Sequence, residues 1–257
     1  MGIAKNEGMN IDEWIDHYLW QGADRIVLID NGSTDDTVAR AERWAADGHP
    51  VTIMHRSQRS MQVPHYKSVF RELALQKTYR WLLIVDLDEF LFCPNGDRVA
   101  DALTEFGSTR LIYFNWRHFG AAGQDDHPDS LRRRLTHRRP SLGSHRDTKW
   151  IARTSALNGG RNIGLHKVPG VSSRHVVSDN ARFQLNHYIT QSREFFFKVK
   201  ATRGSAFSKQ NDHVRTAEYF DKANAGCTYE DRTLVDLLEG HGPKGEDRTN
   251  LAAPTEI

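Results

Sequence analysis

The run Trp81-Leu82-Leu83-Ile84-Val85-Asp86 constrains this chain most, because it is apolar almost throughout and stops abruptly at an acid. A continuous apolar run of strand length, without polar alternation, suits a strand whose two faces are both covered by helices. A second run of this kind, Arg25-Ile26-Val27-Leu28-Ile29-Asp30, also ends in aspartate. Helical patterns surround the two. Asn10 and Glu13 have capping-box spacing, and Ile11, Trp14, Ile15, Tyr18 and Leu19 recur at i, i+3, i+4, i+7 and i+8 as one stripe. Gly22 closes that helix. Ser33 or Thr34 is placed to cap the next, which carries Val38, Ala41 and Ala45 and ends at Asp47-Gly48. Val51–Met54 reads as a strand, and a long helix follows Pro64 with Val69, Leu73 and Leu75 toward the core. Asp97–Phe106 reads as a short helix and Leu111–Trp116 as a strand. Alternation of this kind predicts βαβ units, and so an α/β fold around a mainly parallel sheet.

A chain of 257 residues suits one large α/β domain or two small ones. With no repeat and no linker, a single domain is expected over 1–240, followed by a polar, flexible tail over 241–257. Met1-Gly2-Ile3-Ala4 leaves a first strand of only a few residues, or else the chain begins late relative to its parent fold. Two cysteines, Cys93 and Cys227, form no disulfide framework and fit a reducing compartment. No stretch approaches the roughly 20 apolar residues that span a bilayer, and the N-terminus lacks a signal region. A cytoplasmic protein is expected, with peripheral membrane contact left open. The net charge of +2 gives no ground for a nucleic-acid partner. From His118 to Asp147 the chain reads as a long loop holding the basic run Arg132-Arg133-Arg134 and the pair Arg138-Arg139. Such a run is more often a solvated face than a site for an anionic acceptor. Arg182–Ile189 then reads as a strand and Ser192–Thr202 as a helix.

Three constellations carry chemistry. Asp86-Leu87-Asp88-Glu89-Phe90 follows a buried strand, and ligands of open α/β sheets bind outside the carboxyl ends of strands. A turn there brings both carboxylates round to a divalent cation, whose other positions diphosphate oxygens and water can fill. Taken alone, an acid-x-acid triplet is more often a cap or a solvated pair. Its place at a strand end, with a second acidic strand end upstream, favours the metal. Asp30-Asn31-Gly32-Ser33-Thr34-Asp35-Asp36-Thr37 opens a helix on the same sheet edge, where carboxylates suit ribose hydroxyls or a base imide. The same residues also make an ordinary turn. Asn186-His187-Tyr188 ends a strand, and His187 becomes a third metal ligand beside Asp86 and Asp88, since imidazole suits manganese as well as zinc.

These segments together resemble glycosyltransferases of family 2 with the GT-A fold, especially the branch close to family 92. The likeness rests on Lys5-Asn6-Glu7-Gly8 with Glu13-Trp14-Ile15 and His17-Tyr18, the Asp30–Thr37 turn and Asp86-Leu87-Asp88-Glu89-Phe90. It continues through Trp116 with Phe119-Gly120 and through Asn186-His187-Tyr188 with Ser192, Glu194, Phe195 and Lys198, covering about Lys5 to Gly204. The resemblance implies an open twisted sheet flanked by helices, a nucleotide-sugar donor (a UDP-sugar first) and Mn2+ or Mg2+ at the D-x-D acids. It implies Asp30 and Asp35 near the nucleoside, with Asn31, Ser33, Lys5, Asn6 and Glu7 beside the donor, and inversion by a single displacement. Lys5, Lys198 or Arg203 can share the charge of the leaving diphosphate. Glu89, Asp125, Asp126 and Glu194 are the candidates for a general base acting on the acceptor hydroxyl of a glycan, lipid-linked or other molecule. Cell-surface polysaccharide biosynthesis is the expected setting. Against this stands a degenerate relative that binds a nucleotide sugar or glycan without turnover. A nucleotidyltransferase would want a Gly-rich phosphate loop, which Lys5-Asn6-Glu7-Gly8 does not provide.

Overall fold

In the computed structural model the chain is described over residues 1–203 and 215–240. The tail expected over 241–257 lies outside the described residues. Strands β1 (Gly2–Ala4), β2 (Ile26–Asp30) and β3 (Val51–His55) pair in parallel in that order, placing Ala4 opposite Asp30 and Asp30 opposite His55. Helices α1 (Ile11–Trp20) and α2 (Thr37–Ala46) make the crossovers, and α3 (Gln62–Glu72) follows β3. Ile26 and Leu28 enter one apolar cluster while Val27 and Ile29 enter another. The unbroken apolar run of β2 thus has a core on each side of the sheet, as its composition requires. Ile11, Trp14, Ile15 and Tyr18 are the buried apolar stripe of α1.

The helix caps differ from their sequence signals. Asn10 makes no side-chain cap to α1, because its amide bonds Glu7 (2.8 Å) and Gln191 (3.0 Å) instead. Neither Ser33 nor Thr34 caps α2, which begins after Asp36. Helix α3 starts before Pro64, which sits in the first turn, where its missing N–H breaks no bond.

The Trp81 run pairs as β4 only over Trp81–Leu83, antiparallel to β8 (Thr148–Arg153). Its continuation lies beside β1. The Met1 amino group donates to the Leu83 carbonyl at 2.9 Å, and the Val85 amide donates to the Met1 carbonyl at 3.2 Å. A turn at residues 86–88 leads to β5 (Glu89–Phe92). The hub of the second sheet is β6 (Leu111–Phe119), which pairs with β7 (His137–Arg138), β8, β9 (Val176–Ser178) and β10 (Gln184–Tyr188). Outermost, β11 (Tyr229–Glu230) pairs with β7.

The helix-flanked α/β class is as expected, but the sheet is mixed rather than mainly parallel. Pairings β4–β8, β5–β10, β6–β7, β6–β8 and β7–β11 are antiparallel. Parallel neighbours need a crossover of a dozen or more residues, usually helical. After β6 the described helices are a few residues each, so β7 and β8 fold back antiparallel on it, while β9 and β10 return parallel.

The arginine loop is held to the body. Ser130 caps the short helix Leu131–Arg134. Arg132 is buried on Glu13 (2.9 Å) and Asp16 (2.7 Å). Arg138 is buried on Asp231 (2.6 Å), with its guanidinium over the Tyr229 ring. These two guanidinium groups are therefore structural and are not presented to an anionic acceptor.

Candidate active site

The turn after Val85 and the end of β10 meet beside a cavity of about 480 Å3, whose wall includes Lys5, Glu7, Asn31, Arg59, Gln62, Asp86, Asp88, Trp116, His166, His187, Lys200 and Arg203. Register explains the meeting. Antiparallel pairing of β5 with β10 sets His187 opposite Glu89, and the Tyr188 amide donates to the Asp88 carbonyl at 2.9 Å. Asp88, far upstream, thereby reaches His187.

Asp88 is buried, and its Oδ2 receives the Lys200 ammonium, which also donates to the Ile189 carbonyl at 2.6 Å. His187 Nε2 stands 3.6 Å from the same oxygen. Burial alone would raise the Asp88 pKa, but Lys200 and then His187 outweigh it and hold the carboxyl well below the usual range. The His187 ring lies 4.4 Å from that of Trp116 and 5.7 Å from that of His118. Burial, then the neighbouring His187, lowers His118 to about 4, so its imidazole is neutral at physiological pH.

Asp86 has different partners. Its Oδ2 accepts from Lys149 at 2.8 Å and its Oδ1 from Gln62 at 3.1 Å. The Trp14 indole donates to its carbonyl at 3.0 Å. Lys149 is fully buried and lies 3.3 Å from Glu89, itself fully buried, whose Oε2 accepts the Asp86 amide at 2.8 Å. Burial pulls the Lys149 ammonium down, yet the charges of Asp86 and Glu89 prevail and hold it above its ordinary value. Burial likewise lifts Glu89 to about 7 against the opposing pull of Lys149. A chain of charge, Glu89–Lys149–Asp86, thus underlies the D-x-D turn.

Among the described residues, no three His, Cys, Asp or Glu side chains converge as a metal cage. Asp88 and His187 fit a shared cation: one carboxylate and one imidazole face the cavity from one side, leaving further positions to phosphate oxygens and water. Asp86, expected as a third ligand, has both oxygens on Lys149 and Gln62.

The Asp30–Thr37 turn is latched to the Lys5–Gly8 turn. Asp30 accepts from the amides of Gly32 (3.3 Å) and Ser33 (3.0 Å), and His55 Nδ1 lies 3.4 Å from it. Asp35 accepts from the amides of Gly8 (3.0 Å) and Thr37 (3.1 Å). Asn6 donates its amide to Ser33 Oγ at 3.0 Å and accepts from the Thr34 amide at 2.8 Å. The approach is close enough that a Cβ at Gly8 would lie 2.0 Å from the Asp36 carboxylate. Of these donor-site candidates Lys5, Glu7 and Asn31 line the cavity, whereas Asn6, Asp30, Ser33 and Asp35 do not. Glu7 binds Arg203 and Asn10.

None of the four base candidates lines the cavity. Glu89 is buried beneath Asp86, and Asp125 and Asp126 are exposed. Glu194 accepts from the His127 amide (2.8 Å) and from Lys198 (2.9 Å). Lys198 is 71% exposed, while Lys200 takes the place at the cavity. Lys198 lies four residues after Glu194 on the outer side, whereas Lys200 lies four after the buried Phe196. Sequence reasoning missed Lys149, although a lysine inside the apolar strand Trp150-Ile151-Ala152 joins was a signal of a buried counter-charge.

The fold thus gathers an acidic turn, a histidine and several cations around one cavity. Residues 4–224 match glycosyltransferase family 92, and the chain belongs to that family. It is a glycosyltransferase with a mixed α/β fold. No curated protein matches it in sequence. Among solved structures, Staphylococcus aureus TarS 1-349 in complex with UDP is 17% identical, with 86% of this chain and 70% of that chain covered and a TM-score of 0.44. The chain covers 42% of a longer TarS chain. The mannosyltransferase PcManGT from Pyrobaculum calidifontis, in complex with GDP-Man and Mn2+, is 13% identical over 93% of this chain and 72% of that one, with a TM-score of 0.45. At TM-scores below 0.5 these likenesses bear on neither substrate nor metal. Among the described residues no helix is long and apolar enough to cross a membrane.

Proposed function

We propose that this glycosyltransferase moves a sugar from a nucleotide-diphosphate donor to a hydroxyl of a glycan, lipid-linked or other acceptor, with inversion, using Mn2+ or Mg2+ held by Asp88 and His187. The observation that carries this reading is the meeting of Asp88, His187 and Lys200 on one carboxylate oxygen in the cavity wall. When bound, such a cation stabilises the negative charge growing on the departing nucleoside diphosphate. Lys5, Lys200 and Arg203 add positive charge around the same volume, where low dielectric strengthens it. Asp86, fixed by Lys149 and Gln62, shapes the turn and keeps Asp88 in register with His187. Asn31 offers a polar contact to the nucleoside, and Trp116 an apolar face to a sugar. None of Glu89, Asp125, Asp126 and Glu194 lines the cavity, so the base is left out of this proposal. Residues 1–240 are taken as one catalytic domain. The two free cysteines suit a reducing, cytoplasmic setting.

Calorimetric titration of UDP- and GDP-sugars, with and without Mn2+, tests this reading. One donor class should bind only with the cation. If no donor binds under any condition to protein that circular dichroism shows folded, the catalytic reading fails and a glycan-binding relative without turnover replaces it.

A further inference from the structure

Lys200 occupies the Asp88 oxygen that His187 faces, where a divalent cation shared by those two residues would sit. Its ammonium donates to Asp88 Oδ2 and to the Ile189 carbonyl, and only 9% of its side chain is exposed. His187 Nε2 faces the same oxygen from 3.6 Å. Burying an ammonium is costly unless a carboxylate compensates it, so the pair is held together by mutual need. A divalent ligand set at Asp88 and an ammonium on the same oxygen exclude one another. The ammonium nevertheless has somewhere to go, because it is on the cavity wall with Arg203, at the end of the π-type turn Phe196–Lys200.

Resting on the reading above, we propose that Lys200 is a built-in counter-ion of Asp88 that yields the carboxylate to a divalent cation when a nucleoside diphosphate takes over the ammonium. Metal alone must break the buried pair and strand Lys200. Metal with a diphosphate does not, because phosphate oxygens accept the ammonium through charge-assisted hydrogen bonds. Metal and nucleotide therefore bind with positive coupling, and by linkage each tightens the other by the same factor. Lys200 thus makes the metal site answer to the donor rather than to free cation.

The test follows free Mn2+ by electron paramagnetic resonance, using wild type and Lys200→Met, with no nucleotide, with UDP and with GDP. No turnover is needed. Wild type should bind Mn2+ weakly alone and roughly 5- to 150-fold more tightly with one diphosphate, the usual range of such coupling. Lys200→Met should bind Mn2+ alone at least about tenfold more tightly than wild type, with most of the coupling gone. Lys200→Gln, neutral but still a donor to Asp88, is read in the same way if the Met variant does not fold. Equal Mn2+ affinity in wild type and variant, or no nucleotide effect in wild type, overturns the exchange while leaving the metal reading standing. Diphosphate binding to wild type without any metal, lost in Lys200→Met, overturns it by making Lys200 a substitute for the cation. Mn2+ binding in neither protein, with diphosphate present, overturns both.

Discussion

Two acidic strand ends look alike in this chain and are used differently. After β2, Asp30 and Asp35 accept mainly from backbone amides of Gly32, Ser33, Gly8 and Thr37. After β4, Asp86 and Asp88 are held by the side chains of Lys149, Gln62, Lys200 and His187. A backbone amide is fixed by the fold, so a carboxylate bonded to it is part of the scaffold. A side-chain cation can move, so its carboxylate can change partners when a ligand arrives. The difference separates a latch from a site.

The largest expected effect lies on the second strand end. Asp88→Asn should lower kcat/KM for glycosyl transfer on the order of 10³-fold with an unchanged far-ultraviolet spectrum, as loss of transition-state charge stabilisation predicts. A drop under about tenfold would place Asp88 with the latch residues and break the comparison.

Next, Lys149→Met leaves Asp86 and Glu89 without their buried cation. Denaturant unfolding should show a loss of about 3 kcal/mol, as breaking a buried pair does. Adding Glu89→Gln should restore part of it, and no recovery would mean that Lys149 acts by packing alone.

The dependence on pH is set by buried groups. Burial holds His17 well below its ordinary value and His118 at about 4, so both are neutral when folded and protonated when unfolded over much of pH 4 to 6.5. The unfolded state then binds more protons at these two sites, and their contribution makes stability rise with pH. Glu89, raised to about 7, acts the other way, since the folded state keeps its proton between about 4.5 and 7 while the unfolded state loses it. Burial lowers His127 and His166 as well, so four imidazoles against one carboxyl leave a net rise across pH 4.5 to 6.5. Glu89→Gln should steepen it in chemical denaturation midpoints, and an unaltered slope would refute the raised value.

The smallest effect belongs to the latch. Asp35→Ala removes acceptors for Gly8 and Thr37 and should cost about 1 kcal/mol of stability, with donor affinity changed less than threefold. A large loss of donor affinity at intact stability would turn the latch into a nucleoside contact.

The elements of the first half were readable because strands covered on both faces are written as unbroken apolar runs. The stripe of α1 was readable for a similar reason, at a period of 3.6. The caps were not, because Asn10 and Ser33 have side chains that distant polar groups compete for. Lys198 was named with the resemblance, yet it pairs with Glu194 on the outer side, and Lys200, four residues after the buried Phe196, is the lysine at the cavity.

The residues by themselves determined the α/β class, the acidic strand ends and the nomination of His187, since apolar runs and their acidic stops are local features. Tertiary structure alone decided which acids face the cavity, and which cation each one meets. Asp88 meets His187 through the β5–β10 register and Lys200 through a helix more than a hundred residues later in sequence. Such pairings depend on strand register and on burial, where charge interactions are strong and desolvation selects the partner, and neither is written in the sequence around Asp88.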